Sequence, residues 1–333
     1  MSDHRFSSVP TEEEPGCCHL SRKVKVCLCV LLCVLLCVLV AVAVVVGVLM
    51  WPRATPPRAW NGTGSTPHFS EIVLGRCFTY TQLLRPELGH ADCGQIGKAF
   101  TNAFLSKDPC HSSEQDYQLL LKLTSQTIPC HSSVFWSKST QLAHLYTRVR
   151  QDMFTLEDTL IGYIADGLNW CGDAGSYEMN YQSCPHWRKD CINNPVSVFW
   201  DTVSKRFAEN ACGEVQVVLN GSVSNTFDKN SASAYLNPHW PRRSVLNPVS
   251  SMNNTFGRVE IHNLHPGKVS VLKAWVMHDI GGVYSYHTCS SPIIDDLKFI
   301  LSKRNISFTC EDDYRPIKFL QCVKSPEDSS CRK

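Results

Sequence analysis

From Val26 to Met50 the chain carries no charged side chain and is almost wholly Val, Leu, Cys and Ala. A helix of that length crosses a hydrocarbon layer of about 30 Å, so the pattern predicts one membrane span over 26–50. The stretch Pro52 to Pro67, rich in Pro, Thr and Gly, predicts an extended stalk over 51–70. From Cys77 to about Cys212 the helical period dominates. Leu119, Leu120 and Leu123 follow Asp116; Leu142, Leu145 and Val149 follow Ser139; Leu160, Ile161, Ile164 and Leu168 follow Thr155; Val198, Phe199, Val203 and Phe207 follow Pro195. The period then changes. Val215 to Leu219 is a β-branched run closed by Asn220 and Gly221, and Val259 and Ile261 alternate with Arg258, Glu260 and His262, so both read as strands. Further on, Lys268 to His278 reads as a strand, Pro292 to Arg304 as a helix and Phe319 to Val323 as a short strand.

The predicted fold class is α+β, shading into α/β. One membrane helix precedes a disulfide-rich outer domain over 71–333, mainly helical over 71–212 and α/β over 213–333, with a small, mostly parallel sheet flanked by helices. Residues 231–253 break the rhythm with Pro238, Pro241 and Pro248 beside Trp240, Arg242 and Arg243, and read as an insertion loop.

Charge decides orientation more than function. Arg22, Lys23 and Lys25 crowd the N-terminal edge of the apolar run while Arg53 and Arg58 are sparser beyond it, so tail 1–25 is expected in the cytoplasm and the rest outside, a single-pass type II cell-membrane arrangement. A net charge of +2 with 19% charged residues gives no field for nucleic acid. Of the 18 cysteines, Cys17, Cys18, Cys27, Cys29, Cys33 and Cys37 precede the outer region, and an even set from Cys77 onward suits six disulfides in an oxidising compartment. Spacing leaves the pairing open, since twelve cysteines allow about ten thousand connectivities. His111, His131 and His186 lack zinc-finger spacing, and no metal is expected. Cys29, Cys33 and Cys37 recur at helical spacing, which admits a homodimer face, with small apolar filler the plainer reading. Glycosylation triplets begin at Asn61, Asn220, Asn253 and Asn305.

The usual nucleotide-binding and hydrolase signatures are missing: no Gly-x-Gly-x-x-Gly, no phosphate-loop Lys, no Gly-x-Ser-x-Gly. What remains is a set of acids and indoles. Thr155 to Asp158 reads as a helix start, with Thr155 the cap and Glu157 and Asp158 at the positive end of the dipole. Trp200 and Ser204, four apart, share a helix face. Trp136 follows Val134 and Phe135, and Glu260 points opposite to Val259 and Ile261 if that segment is a strand. Each has a plain structural explanation alone: a cap, a packed indole, a surface acid.

Together they resemble a known family. Thr155-Leu156-Glu157-Asp158-Thr159-Leu160, Asn180 to Pro185, Trp187 to Cys191, Asn193 to Trp200 and Phe319 to Lys324 look like ADP-ribosyl cyclase and cyclic ADP-ribose hydrolase sequences over essentially Cys77 to Cys331. The apolar N-terminal run makes the chain similar to the transmembrane lymphocyte-surface kind of NAD glycohydrolase rather than the lipid-anchored kind. The resemblance implies Glu260 as catalytic carboxylate, Trp136 and Trp200 as aromatic walls and Glu157 as the acid contacting nicotinamide, with Asp158 and Asp166 in support. It places Ser204, Thr255 and Phe256 near ribose and phosphates, and Lys138 where the family usually has Arg. It also implies the pairs Cys77–Cys93, Cys110–Cys191, Cys130–Cys212, Cys171–Cys184, Cys289–Cys310 and Cys322–Cys331. NAD and cyclic ADP-ribose, and by extension NADP, are then substrates, and no cofactor is required.

The nicotinamide–ribose bond has a cationic leaving group, so departure needs no general acid; a carboxylate must face the oxocarbenium-like ribose. Capture by water gives ADP-ribose and capture by adenine gives the cyclic product. The small Thr255 predicts mainly hydrolysis. Two rival readings are a cell-surface receptor or adhesion ectodomain with a protein ligand, and a relative impaired by the 231–253 segment ahead of Glu260.

Overall fold

The computed structural model describes the backbone of residues 22–50, 59–224, 226, 258–282 and 285–332, and the side chains of all but 22–29, 47–50 and 258–260 among them. The predicted insertion loop 231–253 and the predicted site residues Thr255 and Phe256 lie outside the described residues, as does Asn253.

Two units are present, Met1–Arg58 and Ala59–Lys333. In the first, helix α1 (Arg22–Met50) is 29 residues long, and its side chains over 30–46 are all exposed. Among the described residues no helix is long and apolar enough to cross a membrane, only the middle of α1 being described to its side chains.

The second unit begins earlier than the predicted stalk allows. Strand β1 (Gly62–Thr63) pairs antiparallel with β3 (Ser183–Cys184), Trp60 and Ser65 are buried, and helix α2 (Phe69–Thr79) starts on the fully buried Phe69. Residues 59–70 are therefore part of the folded domain, because Trp60 and Phe69 have apolar surface to hide that a Pro- and Gly-rich composition masks.

The centre is a four-stranded parallel sheet in the order β2 (Val134–Ser137), β4 (Gly213–Asn220), β5 (Val269–Met277), β6 (Ser307–Asp312). Both faces are covered, which is why β4 reads as a continuous Val-rich run. Val215, Val217, Leu219, Leu272, Ala274 and Val276 enter one core with Phe135; Val134, Trp136, Val218, Trp275 and Met277 enter the other. The larger core takes α2, α3 (Cys93–Asn102), α4 (Gln118–Leu123), α6 (Leu160–Ala165), α7 (Pro195–Asn210), α8 (Arg258–Asn263) and α9 (Pro292–Ser302). The smaller is closed by α5 (Thr140–Arg150) and α10 (Arg315–Lys324) through Ala143, Tyr146 and Ile317.

Two predicted strands are helices. Arg258 to Asn263 forms α8, and Ile261 and Leu264, three apart, are both fully buried; five alternating residues fit either period, and burial at helical spacing decides. Phe319 to Val323 lies in α10, whose buried residue is Ile317 while Phe319 and Val323 face outward. The helical half also lends the sheet its edge strand β2.

Six disulfides brace the domain: Cys77–Cys93, Cys110–Cys191, Cys130–Cys212, Cys171–Cys184, Cys289–Cys310 and Cys322–Cys331. These are the pairs the family resemblance implies. Cys130–Cys212 joins the approach to β2 to the approach to β4 across 82 residues.

Candidate active site

Glu157 sits in a single 3-10 turn, Leu156–Asp158, just before α6. Thr155 caps the turn as the sequence suggests, but its partner is Asp158: Asp158 Oδ2 accepts from the Thr155 amide at 2.8 Å and from its hydroxyl at 2.9 Å. The Asp158 carboxylate thus shapes the loop that presents Glu157. Tyr80 donates its hydroxyl to the Asp158 carbonyl at 2.7 Å, and burial pushes that phenol up to about 12. Beneath the turn, Gly162 of α6 approaches so closely that a Cβ there would collide with the Leu156 carbonyl.

Glu157 is 7% exposed. Its Oε2 accepts the indole N–H of Trp136 at 3.2 Å and lies 3.9 Å from His144 Nε2 on α5. Burial pushes its carboxyl above the usual carboxylate range, with Asp166 adding to the push and His144 and the Trp136 N–H opposing it. Trp136 is 3% exposed near the end of strand β2, so it and Glu157 form one buried pair at the sheet edge.

Trp200 and Ser204 lie on α7, which packs against the Glu157 turn and, on another side, against α8 carrying Glu260. Ser204 is buried; Trp200 is half-buried, and its indole N–H is sealed from water with no hydrogen-bond partner among the described residues. Asp166 caps the end of α6 and is exposed. The structure thus joins Trp136 to Glu157 directly, and reaches Trp200, Ser204 and Glu260 through α7.

Lys138 stands apart from that pair. It leaves β2 with a φ of 57°, and burial, with the Arg188 guanidinium beside it, pulls its ammonium below the usual lysine value. It borders a cavity of about 430 Å³ that also takes in Thr140, Asn220, Asp279, Gln321 and Lys324, at the ends of β2, β4 and β5. Trp136, Glu157, Trp200 and Ser204 do not line that cavity. Of the glycosylation candidates, Asn61 Nδ2 donates to Asp190 at 2.6 Å, Asn220 Nδ2 donates to the Lys138 carbonyl at 3.3 Å, and Asn305 is exposed. Sequence reasoning missed His144, Gly162 and Tyr80, whose roles arise from contacts across elements and leave no local signature.

A desolvated carboxylate against an indole, beside a helix bearing a second indole and hydroxyl, defines a site of the kind that stabilises a cationic sugar. The family model described as ADP-ribosyl cyclase matches residues 66–237 and 245–331. The interval between these stretches falls inside the segment read as an insertion. ADP-ribosyl cyclase/cyclic ADP-ribose hydrolase 1 of Rattus norvegicus is 53% identical over all of this chain and 99% of its own. Porcine CD38, solved with a covalent intermediate, ribo-F-ribose-5'-phosphate, is 54% identical with a TM-score of 0.67, covering 77% of this chain and 100% of that one. An Aplysia cyclase solved with substrate NGD and product cGDPR is 28% identical with a TM-score of 0.65, covering 81% of this chain and 98% of its own. The chain belongs to the ADP-ribosyl cyclase family.

Proposed function

We propose that the chain is an outward-facing enzyme that breaks the nicotinamide–ribose bond of NAD, giving ADP-ribose and nicotinamide with minor synthesis and hydrolysis of cyclic ADP-ribose. The observation that carries this reading is the buried Trp136–Glu157 pair packed, through α7, beside the helix of Glu260, in a chain 53% identical to a named cyclase and hydrolase.

Nicotinamide leaves as a neutral base from a pyridinium, so no proton need be delivered. The barrier is the positive charge that builds on ribose. Glu260 opposes that charge, as a glycosidase carboxylate does, and either holds the ion or bonds to C1′. Trp136 and Trp200 supply flat, electron-rich faces for the pyridinium, a contact of about 0.5–2 kcal/mol. Glu157 accepts from the carboxamide N–H and orients the ring. Ser204, Thr255 and Phe256 address ribose and phosphates, and Lys138 meets phosphate as a point charge rather than a two-pronged grip. Water then takes the intermediate in most turnovers.

The 29-residue length of α1 and the basic residues at its start support membrane attachment through it, with a cytoplasmic tail. Nicotinamide release by cells displaying the full chain tests the assignment. Glu260→Gln should cut turnover at least about 100-fold, the scale of losing one electrostatic stabiliser, with surface expression unchanged. Equal, background-level release from both proteins would favour an adhesion ectodomain or an impaired relative instead.

A further inference from the structure

Glu157 is expensive to keep ionised where it sits, so a basic side chain beside it alters how the acid behaves. Helix α5 supplies one. Its first turn is tied to the sheet by the Ser139 hydroxyl donating to the Val218 carbonyl at 2.7 Å, and its middle by the Tyr146 hydroxyl donating to Gln216 at 3.0 Å, with Ala143 and Tyr146 buried between. One residue on from Ala143, His144 is thereby fixed beside Trp136, ring centroids 6.3 Å apart, with Nε2 3.9 Å from Glu157 Oε2.

We propose that His144 is a positioning residue for Glu157: its ring nitrogen and the Trp136 N–H converge on the same carboxylate oxygen, aiming the acid at the nicotinamide end of the substrate. The inference rests on the role given to Glu157 under Proposed function. Other charges around the acid do not supply this. Asp166, at the end of α6, pushes the wrong way; the Asp158 carboxylate is engaged by Thr155. On α7, Lys205 turns to Glu114 at 3.3 Å and Arg206 to Gln118 at 3.3 Å. Among the described residues, His144 is the basic side chain that faces Glu157, and burial of the acid gives that contact its leverage.

Removing the His144 ring takes away an attraction that opposes the effect of burial, so Glu157 stays protonated to higher pH. The test is the pH profile of kcat/KM for NAD turnover by the full membrane-bound chain as wild type, His144→Gln, Glu157→Gln and the double variant, with the cyclic-to-linear product ratio measured alongside. In His144→Gln the acid limb should move up by about one pH unit, a roughly tenfold loss on the limb that fades on the plateau. The product ratio should shift toward that of Glu157→Gln, and His144→Gln should add nothing to the profile of Glu157→Gln. A uniform loss with an unmoved limb, or a limb shift that persists in the Glu157→Gln background, overturns the proposal. If Glu157→Gln itself leaves kcat, KM and product ratio as in wild type, the role given to Glu157 fails first.

Discussion

The two acids proposed for this site are carried by unlike pieces of structure. Glu157 rides on a one-turn loop held by four contacts: the Thr155–Asp158 cap, the Tyr80 hydroxyl, the Trp136 N–H and the close approach of Gly162. Glu260 rides on α8, six residues long, fastened to the domain by Ile261 and Leu264 in the core and by Arg304 Nη2, which donates to the Leu264 carbonyl at 2.8 Å. Six residues are too few for a helix to hold itself together in water, so α8 owes its shape to docking on α7. One acid is held by contacts to its own turn, and the other rides on a helix held by tertiary packing. The two should therefore answer differently to changes made at a distance from the chemistry.

The largest contrast should come from Ile261→Ala. A fully buried isoleucine replaced by alanine costs about 2–5 kcal/mol, and here the cavity opens under the helix that carries Glu260. Thermal unfolding should show that loss, and kcat should fall further than global unfolding explains, while the Trp136–Glu157 pair keeps its geometry. Unaltered kcat in the folded fraction would mean that α8 is held by something other than its apolar side chains. On the opposite side, Gly162→Ala forces a methyl group against the Leu156 carbonyl. Overpacking of that kind costs about 1–3 kcal/mol. Because the displaced atoms belong to the Glu157 turn, KM for NAD should rise with kcat less affected, the reverse of the Ile261→Ala signature. A larger effect on kcat than on KM would erase the distinction between the two supports.

The same contrast explains what could be read from residues alone. Val215 to Leu219 was legible as a strand because a parallel strand covered on both faces needs an unbroken apolar run. The Thr155 cap was legible because its partner lies three residues away. β2 was not, since three residues between Ser133 and Ser137 have no period of their own, and the strand's partners, Gln216 to Leu219, lie far along the chain. In α10 the outward-facing Phe319 and Val323 suggested a strand, and only Ile317 shows which side is buried. The segment of Glu260 reads as a strand yet is a helix, because Arg258 to His262 alternates while Ile261 and Leu264 obey the helical spacing. His144 lies thirteen positions before Glu157, and its relevance exists only once α5 folds back on the sheet.

The smallest effect has the opposite sign. Burial raises the Glu157 carboxyl above its value in the unfolded chain, so the folded state holds the proton more tightly. Stability from that group is full below the unfolded value, about pH 4, and is lost as pH rises through the folded value. At neutral pH the ionised acid therefore works against the fold, and Glu157→Gln, which keeps an acceptor for the Trp136 N–H without the charge, should raise Tm slightly. That gain should vanish below about pH 4 and level off once wild-type Glu157 is fully ionised. A Tm difference between Glu157→Gln and wild type that stays constant with pH would mean that Glu157 is not strained by its burial, and that the four braces around it serve the loop rather than the charge.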